Sequence, residues 1–478
     1  MSPDLLQQKT LRSFRSPLYD ILSIDKRSFS FGDTMDKNQR FILDISTLLN
    51  TGFEMDILLK NFTLIDGSGR EPIADAVIAI SEGKIIYAGA GSGWKDSIPF
   101  GEADRESVIL DLRGKYVLPG LIDAHVHLSG SGEADSQFYA PTGQMALKIL
   151  SNAQKNLAAG ITTVRDLGGW SELEFDVRRS IQRGDFAGPR MCLAGRFISI
   201  TEAGADYYVG MYRVADGVDE VRKAVREQVK HGADVIKMGV TGAVLVESGV
   251  PGTTHFNYDE VQALVEEAKK FGKPVAMHAH GIDGIRKAVD AGVSTLEHGT
   301  YLYQDPSVIQ YMAEHGVFLV PTLKVGWDII LAKNSNVPEW ILQKNKSSQG
   351  EAALSLKLAY EAGVPIAMGS DVGTPLNVHG ENALEVYWMQ QAGLSVMDAI
   401  VAATGNAARA LGWDSWMGTL EAGKVADLIV HEKNLLEDLR VLADKVSLQF
   451  VMKDGMIAAC HAGDELPKEL FAKQVLGI

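Results

Sequence analysis

Seven residues of suitable type for binding a metal and moving a proton stand at or near the ends of short apolar runs. His125 and His127 close "LIDAHVHL", Lys237 lies in "ADVIKMG", and His278 and His280 sit in "PVAMHAHG". His298 follows in "STLEHG" and Asp371 in "VPIAMGSD". Five of the chain's eleven histidines therefore fall in three segments. Neutral imidazoles and carboxylates suit a divalent ion such as zinc. Each residue alone has an ordinary reading. Alternation sets residues i and i+2 of any strand on one face, and a strand-end His, Lys or Asp often serves hydrogen bonding or a surface ion pair. Their order across five segments is what points to a shared metal site.

Such a site needs elements that bring distant segments to one face. From about residue 117 to 412 the chain alternates strand-like and helix-like patterns. Apolar runs at 161–168, 189–195, 233–239, 274–281, 294–299, 316–323 and 364–371 follow the first at "YVLPGLIDAHVHL". Between most of them lie stretches such as "VDEVRKAVREQVKHG" and "NYDEVQALVEEAKKFG", apolar at i, i+3 and i+4 and stopped by Gly. Eight strands alternating with helices read as an α/β fold of the (β/α)8 TIM-barrel type, whose strand ends meet on one face. The alternative is an open doubly wound sheet, which usually carries a Gly-rich phosphate turn after its first strand; here that strand ends in His-Val-His.

Both flanks read as short strands and turns. Residues 55–116 include "DILLKNFTLIDG" and a hairpin around Glu82-Gly83; residues 413–478 include "VSLQFVMKDGMIAA" with a turn at Asp454-Gly455. We expect one small β-sandwich built from both chain ends, with the barrel occupying 117–412. Residues 1–54 lack clean periodicity and read as an extension that a chain starting at Met55 can dispense with.

The bulk numbers exclude some partners. The chain has 478 residues, enough for a large barrel with an appended domain. Its 46 Lys+Arg against 61 Asp+Glu give a net charge of −15 and no basic stripe, so no nucleic-acid partner is expected. No 18-residue apolar run suggests a membrane span. Only Cys192 and Cys460 occur, which excludes a disulfide framework and a cysteine zinc site and makes a cytoplasmic setting the default.

The segments "VLPGLIDAHVHL", "GITTVRDLGG", "GADVIKMGVTG", "VAMHAHG", "TLEHGTYL", "MGSDVG", "HGENALEV" and "GTLEAGKVADLIV" together resemble the amidohydrolase superfamily. The likeness runs from about Met55 to Ala459 and is to its imidazolonepropionase-like and prolidase-like members. These include Xaa-Pro dipeptidases, Xaa-Lys/Arg carboxypeptidases and ochratoxin-degrading amidases. The resemblance implies that His125, His127 and Asp371 bind one metal and that His278 and His298 bind a second. Lys237 would be carboxylated by CO2 and bridge the two ions, most simply zinc. It further implies attack by a metal-bridged hydroxide on an amide carbonyl, with Asp371 passing a proton to the leaving nitrogen.

Substrate contacts implied by the resemblance are His280, the second histidine of "HAH", and Tyr301, three residues after His298. The expected substrate is a small amide or peptide, namely an N-acyl amino acid or dipeptide, and the chain is expected to be a homo-oligomer. The same chemistry on a cyclic amide, a carbamate or a xenobiotic amide such as ochratoxin A is the alternative, and a non-catalytic scaffold a third reading. His379 reads as a solvated loop residue, and His431 as a helix-end or surface one. Arg165 and Asp166 read as an internal ion pair or strand-end brace. The loop after Lys237, with Ala243 and His255, and the loop at 129–143 after His127 depart from the relatives and are expected to shape specificity.

Overall fold

Short apolar runs open the described part of the chain as β1 (Asp56–Leu64), β2 (Ile73–Ser81), β3 (Lys84–Ala90), β4 (Ser107–Asp111) and β5 (Tyr116–Pro119). The computed structural model describes residues 56–96, 107–132, 140–202, 210–242, 250–332, 337–461, 466–467 and 470–477. The extension at 1–54, Ala243 and much of the loop after His127 lie outside them. β2 and β3 pair antiparallel about Glu82 and Gly83, both at positive φ, the backbone that a two-residue hairpin turn demands.

The middle of the chain begins with β6 (Leu121–Val126), α1 (Thr142–Ala158), β7 (Ile161–Asp166), α2 (Leu173–Gln182) and β8 (Arg190–Leu193). Next come β9 (Phe197–Ser199), β10 (Tyr212–Val214), α3 (Val218–His231) and β11 (Ile236–Gly239). They continue as α4 (Tyr258–Lys270), β12 (Val275–Ala279), α5 (Ile282–Ala291), β13 (Thr295–His298), α6 (Pro306–His315) and β14 (Phe318–Val320). Helices α7 (Leu323–Leu331), α8 (Glu339–Glu361), α9 (Leu384–Gln391), α10 (Val396–Ala402) and α11 (Gly405–Leu411) complete this part. The chain closes with β15 (Leu428–His431), β16 (Leu448–Lys453), β17 (Met456–Cys460) and β18 (Phe471–Gly477).

The local reasons are ordinary. In α3, Val221, Ala224, Val225 and Gln228 are buried at i, i+3, i+4 and i+7, and Gly232 ends the helix at positive φ. Asn257 and Glu260 form a capping box on α4, and Asp305 with Pro306 starts α6. β6 and β7 are buried at every residue, the mark of parallel strands covered on both faces.

Strands from both chain ends join one nine-stranded sheet in the order β18-β17-β16-β15-β5-β1-β2-β3, with β4 beside β1. Ile57, Leu59, Phe62, Ile80, Val430 and Phe450 belong to its core. The middle strands form two parallel sets, β6-β7-β8 and β10-β9-β11-β12-β13-β14. Asp234 N–H donates to Leu193 O at 2.8 Å, linking β8 to the approach to β11. On the other side, Leu319 of β14 bonds both Pro365 O and Ala367 N, while Ala124 N–H donates to Met368 O. The run "VPIAMGSD", expected as a full strand, pairs only through isolated bridges, Leu319 with Ile366 and Val126 with Val372. A Cβ at Gly369 would strike Val320 and His125, so only glycine fits where the run passes between β14 and β6. β9 and β10 are additions that the sequence did not signal, each only three residues long.

Candidate active site

Segments more than 240 residues apart converge on one cavity lined by His125, His127, Lys237, His278, His280, His298 and Asp371. Two triads of ligand atoms lie within 4.8 Å of one another: His125, His298 and Asp371 in one, His278, His280 and His298 in the other. His298 is thus common to both. His127 adds to the first, its Nε2 3.3 Å from Asp371 Oδ1, with His125 Nε2 3.6 Å from the same oxygen. Ring centroids of His278 and His298 are 4.4 Å apart.

Backbone strain concentrates here. His298 (φ 69°), Thr322 (φ 52°) and Asp371 (φ 57°) occupy the left-handed region that non-glycine residues avoid. Such residues persist where surrounding structure over-determines them, and they turn these side chains off their strand ends into the cavity. Thr322 also holds His298, Oγ1 to Nδ1 at 2.8 Å, and Thr300 holds His280 in the same way at 2.7 Å. Each hydrogen bond occupies Nδ1 and leaves Nε2 for the cavity.

Burial decides the protonation states. It lowers His125 and His280 to about 4 and holds His278 and His298 well below the usual histidine value, so these four are neutral; at His127 burial is outweighed by the Asp371 carboxylate, which raises it. Asp371 goes the other way: burial favours its acid form, but His125 and His127 outweigh it and keep it a carboxylate. Burial lowers Lys237 to about 8, against the pull of Glu297 and Asp371.

Several residues that the sequence did not signal build the support. Glu297, fully buried, accepts from His125 Nδ1 at 2.9 Å and from the Arg165 guanidinium at 2.9 Å. Arg165 also donates to the Ala124 carbonyl at 2.6 Å. Arg165 thus makes an internal ion pair, with Glu297, and Asp166 is a strand-end brace. Neighbours on β7 face opposite sides, so Arg165 reaches Glu297 while Asp166 accepts from Leu128 and Gly168 N–H. Asp123 accepts from the amides of His125 and Ser370, the Ser370 hydroxyl and Asn382 Nδ2, tying two site-bearing segments together. Burial raises its carboxyl to about 6.

Two further histidine expectations are overturned. His379 is buried, with Nε2 3.0 Å from Gly130 O and 3.3 Å from His127 O, so it braces the His127 backbone. His431 is completely buried in β15 because the two-ended sheet covers its flank.

The remaining walls are apolar or uncharged. Phe197, Met211 and Tyr212 line one side, with Phe197 stacked on Tyr212 at 4.8 Å and lying 5.7 Å from Lys237 Nζ. Residues of α7 and α8 line another. Tyr301 is half-buried and does not line the cavity; its N–H donates to His280 O at 3.0 Å, and Thr300 supplies the neighbouring lining group. His255 stands 3.9 Å from Glu202 rather than on the cavity wall.

The residues fit divalent ions. Lys237 Nζ and His278 Nε2 are buried and make no hydrogen bond, an arrangement that costs stability unless something binds them. Neutral imidazoles and a carboxylate are a suitable donor set for such ions.

This fold and this histidine cluster define a hydrolase class. The amidohydrolase family model matches residues 116–458, and the chain belongs to that family. It is a hydrolase acting on C–N bonds. Over 427 residues it is 31% identical to an ochratoxinase of Aspergillus niger, covering 82% of this chain and 85% of the relative. A crystal structure of a Xaa-Pro dipeptidase with methionine bound in its active site is similar at TM-score 0.75 and 33% identity. That match covers 84% of this chain and 99% of the other. The crystal structure of A. niger ochratoxinase is similar at TM-score 0.75 and 29% identity, covering 85% and 96%. Among the described residues no helix is long and apolar enough to cross a membrane.

Proposed function

We propose that the chain hydrolyses the amide bond of N-acyl amino acids or dipeptides at a two-metal centre. The observation that carries this reading is the pair of unpartnered buried nitrogens on Lys237 and His278, beside Asp371, within one histidine-lined cavity. His125, His127 and Asp371 would hold one ion and His278 and His298 the other, with zinc the expected metal. Two such ions would polarise the amide carbonyl and bring the pKa of a water toward neutrality.

The protein's own groups do the rest. With its pKa lowered by burial, Lys237 is available in part as the neutral amine, the form that adds to CO2 with loss of a proton. The carbamate would replace a cation with an anionic two-oxygen ligand able to bridge. Asp371, held as a carboxylate, accepts the proton of the attacking water and delivers it to the leaving nitrogen. His280 contacts substrate from the same wall as His278, and Tyr212 offers a phenol where Tyr301 does not reach.

The same reading takes the middle strands as a closed (β/α)8 barrel over 117–412. In support, the 365–372 run bonds β14 on one side and β6 on the other. Residues 55–116 and 413–478 would form the composite β-sandwich.

A second reading keeps the site and takes a xenobiotic amide such as ochratoxin A, favoured by the 31% identity to ochratoxinase across most of the chain. Zinc-loaded protein assayed against dipeptides, N-acyl amino acids and ochratoxin A separates the two. Hydrolysis of none of them, with zinc bound, would overturn both.

A further inference from the structure

Behind the cavity wall at the start of α7 lies a charge that the chemistry above does not use. Leu323 and Val325 line the cavity, but Lys324 between them does not. Its side chain is fully buried, with Nζ donating to Asp328 Oδ2, one turn along α7, and to Asn377 Oδ1 at 2.8 Å. An i, i+4 ion pair of this kind needs no burial, since an exposed helix face forms it without desolvating an ammonium. The bond to Asn377, 53 residues away, is what the buried position provides.

Asn377 passes the contact on to the metal-ligand segment. Its Nδ2 donates at 2.7 Å to Ser370 O, the carbonyl of the peptide that enters Asp371. The N–H of that same peptide donates to His125 O at 2.8 Å, so the peptide is held at both ends just before a residue at φ 57°. The backbone of Lys324 is fixed as firmly. Fully buried Glu385 accepts from Leu323 N–H at 2.9 Å and from Lys324 N–H at 2.6 Å. Thr322, immediately before them, sits at φ 52° and bonds His298 Nδ1 at 2.8 Å. Lys324 therefore ties the corner that aims His298 to the peptide that aims Asp371. Both corners have left-handed backbone, which persists only under outside restraint.

We infer that Lys324 is a positioning residue that sets the separation of the two metal half-sites. On the two-metal reading above, Asp371 serves one ion and His298 the other, so the Lys324–Asn377 bond crosses from one half to the other. Its side chain stays outside the cavity and acts through Asn377 and Thr322. Without that bond both corners are free to relax toward ordinary backbone, and one half of the donor set moves against the other.

The test compares full-length wild type with Lys324→Met/Asp328→Asn, which removes both charges and strands neither. Zinc is stripped with a chelator; thermal melting of the zinc-free protein and chelator competition for added zinc are then measured. Wild type should bind two zinc ions per chain. The double variant should melt, zinc-free, within a few degrees of wild type and bind zinc at least about tenfold more weakly. A purely structural role gives the opposite pair, a lower melting temperature with zinc affinity unchanged. Asn377→Leu should also weaken zinc binding, and adding it to the double variant should cost less than about threefold beyond Asn377→Leu alone, because all three substitutions break one path. Should the double variant fail to fold, Asn377→Leu against wild type carries the comparison. Wild-type zinc affinity in the folded variants, or losses that simply multiply, overturns the positioning role. A wild type that binds fewer than two zinc ions overturns the two-metal reading instead.

Discussion

Glu297 Oε2 lies 2.9 Å from His125 Nδ1, at the heart of a fully buried trio that Arg165 completes at 2.9 Å from the other carboxylate oxygen. Burial opposes ionisation of Glu297, but Arg165, His125 and Lys237 hold its carboxyl at about 2. The carboxylate therefore accepts from Nδ1–H, which fixes the tautomer and leaves Nε2 as the ligand atom.

Glu297→Gln keeps an acceptor for His125 and is expected to weaken zinc binding by about 10-fold to 100-fold. Glu297→Ala also strands the buried Arg165 charge, and a further loss of about 3–5 kcal/mol in stability should follow. Chelator competition for zinc and denaturant unfolding separate the two effects. Equal zinc affinity in wild type and Glu297→Gln would remove Glu297 from the positioning role.

Asp371→Asn should leave the fold intact and lower kcat by at least about a hundredfold. The amide preserves shape at a strained backbone position but no longer takes a proton. A thermal melt close to wild type with turnover lost is the expected pair of results. Full activity in this variant would sink the proton-transfer role.

Gly373 sits at φ 103°, and a Cβ there would run into the His127 carbonyl oxygen. Gly373→Ala should destabilise the protein by roughly 2–4 kcal/mol and displace the His127 segment. Loss of bound zinc in parallel with the fall in melting temperature checks both consequences.

His431 gives a pH dependence away from the site. Burial lowers it to about 4, and neither ring nitrogen has a hydrogen-bond partner. Between pH 6.5 and 4 the unfolded chain binds a proton at this residue that the folded chain refuses. Stability is thus full above about pH 6.5 and falls as pH drops toward 4, by about 2–3 kcal/mol from this group. His431→Leu should flatten that part of the stability curve. Urea unfolding at pH 5 and pH 8 measures the change; equal pH slopes in both proteins would count against it.

The sequence by itself determined which segments carry the ligand-type residues and that those segments are buried, because apolar runs and i, i+2 spacing are local properties. His125, His127, Lys237, His278, His280, His298 and Asp371 do line one cavity. Both hairpin turns, at Glu82-Gly83 and Asp454-Gly455, were legible because positive φ leaves a local chemical mark. Tertiary structure alone decided how those side chains are held. Glu297 is 172 residues from His125 and 132 from Arg165, and His379 meets Asn156 across 223 residues. No local pattern encodes such partners, so the partner of Arg165 could not be named, His379 looked solvated and His431 looked exposed. Residue type and spacing reveal chemistry that a strand or helix can hold alone, whereas orientation and burial depend on contacts made only when the whole chain has closed.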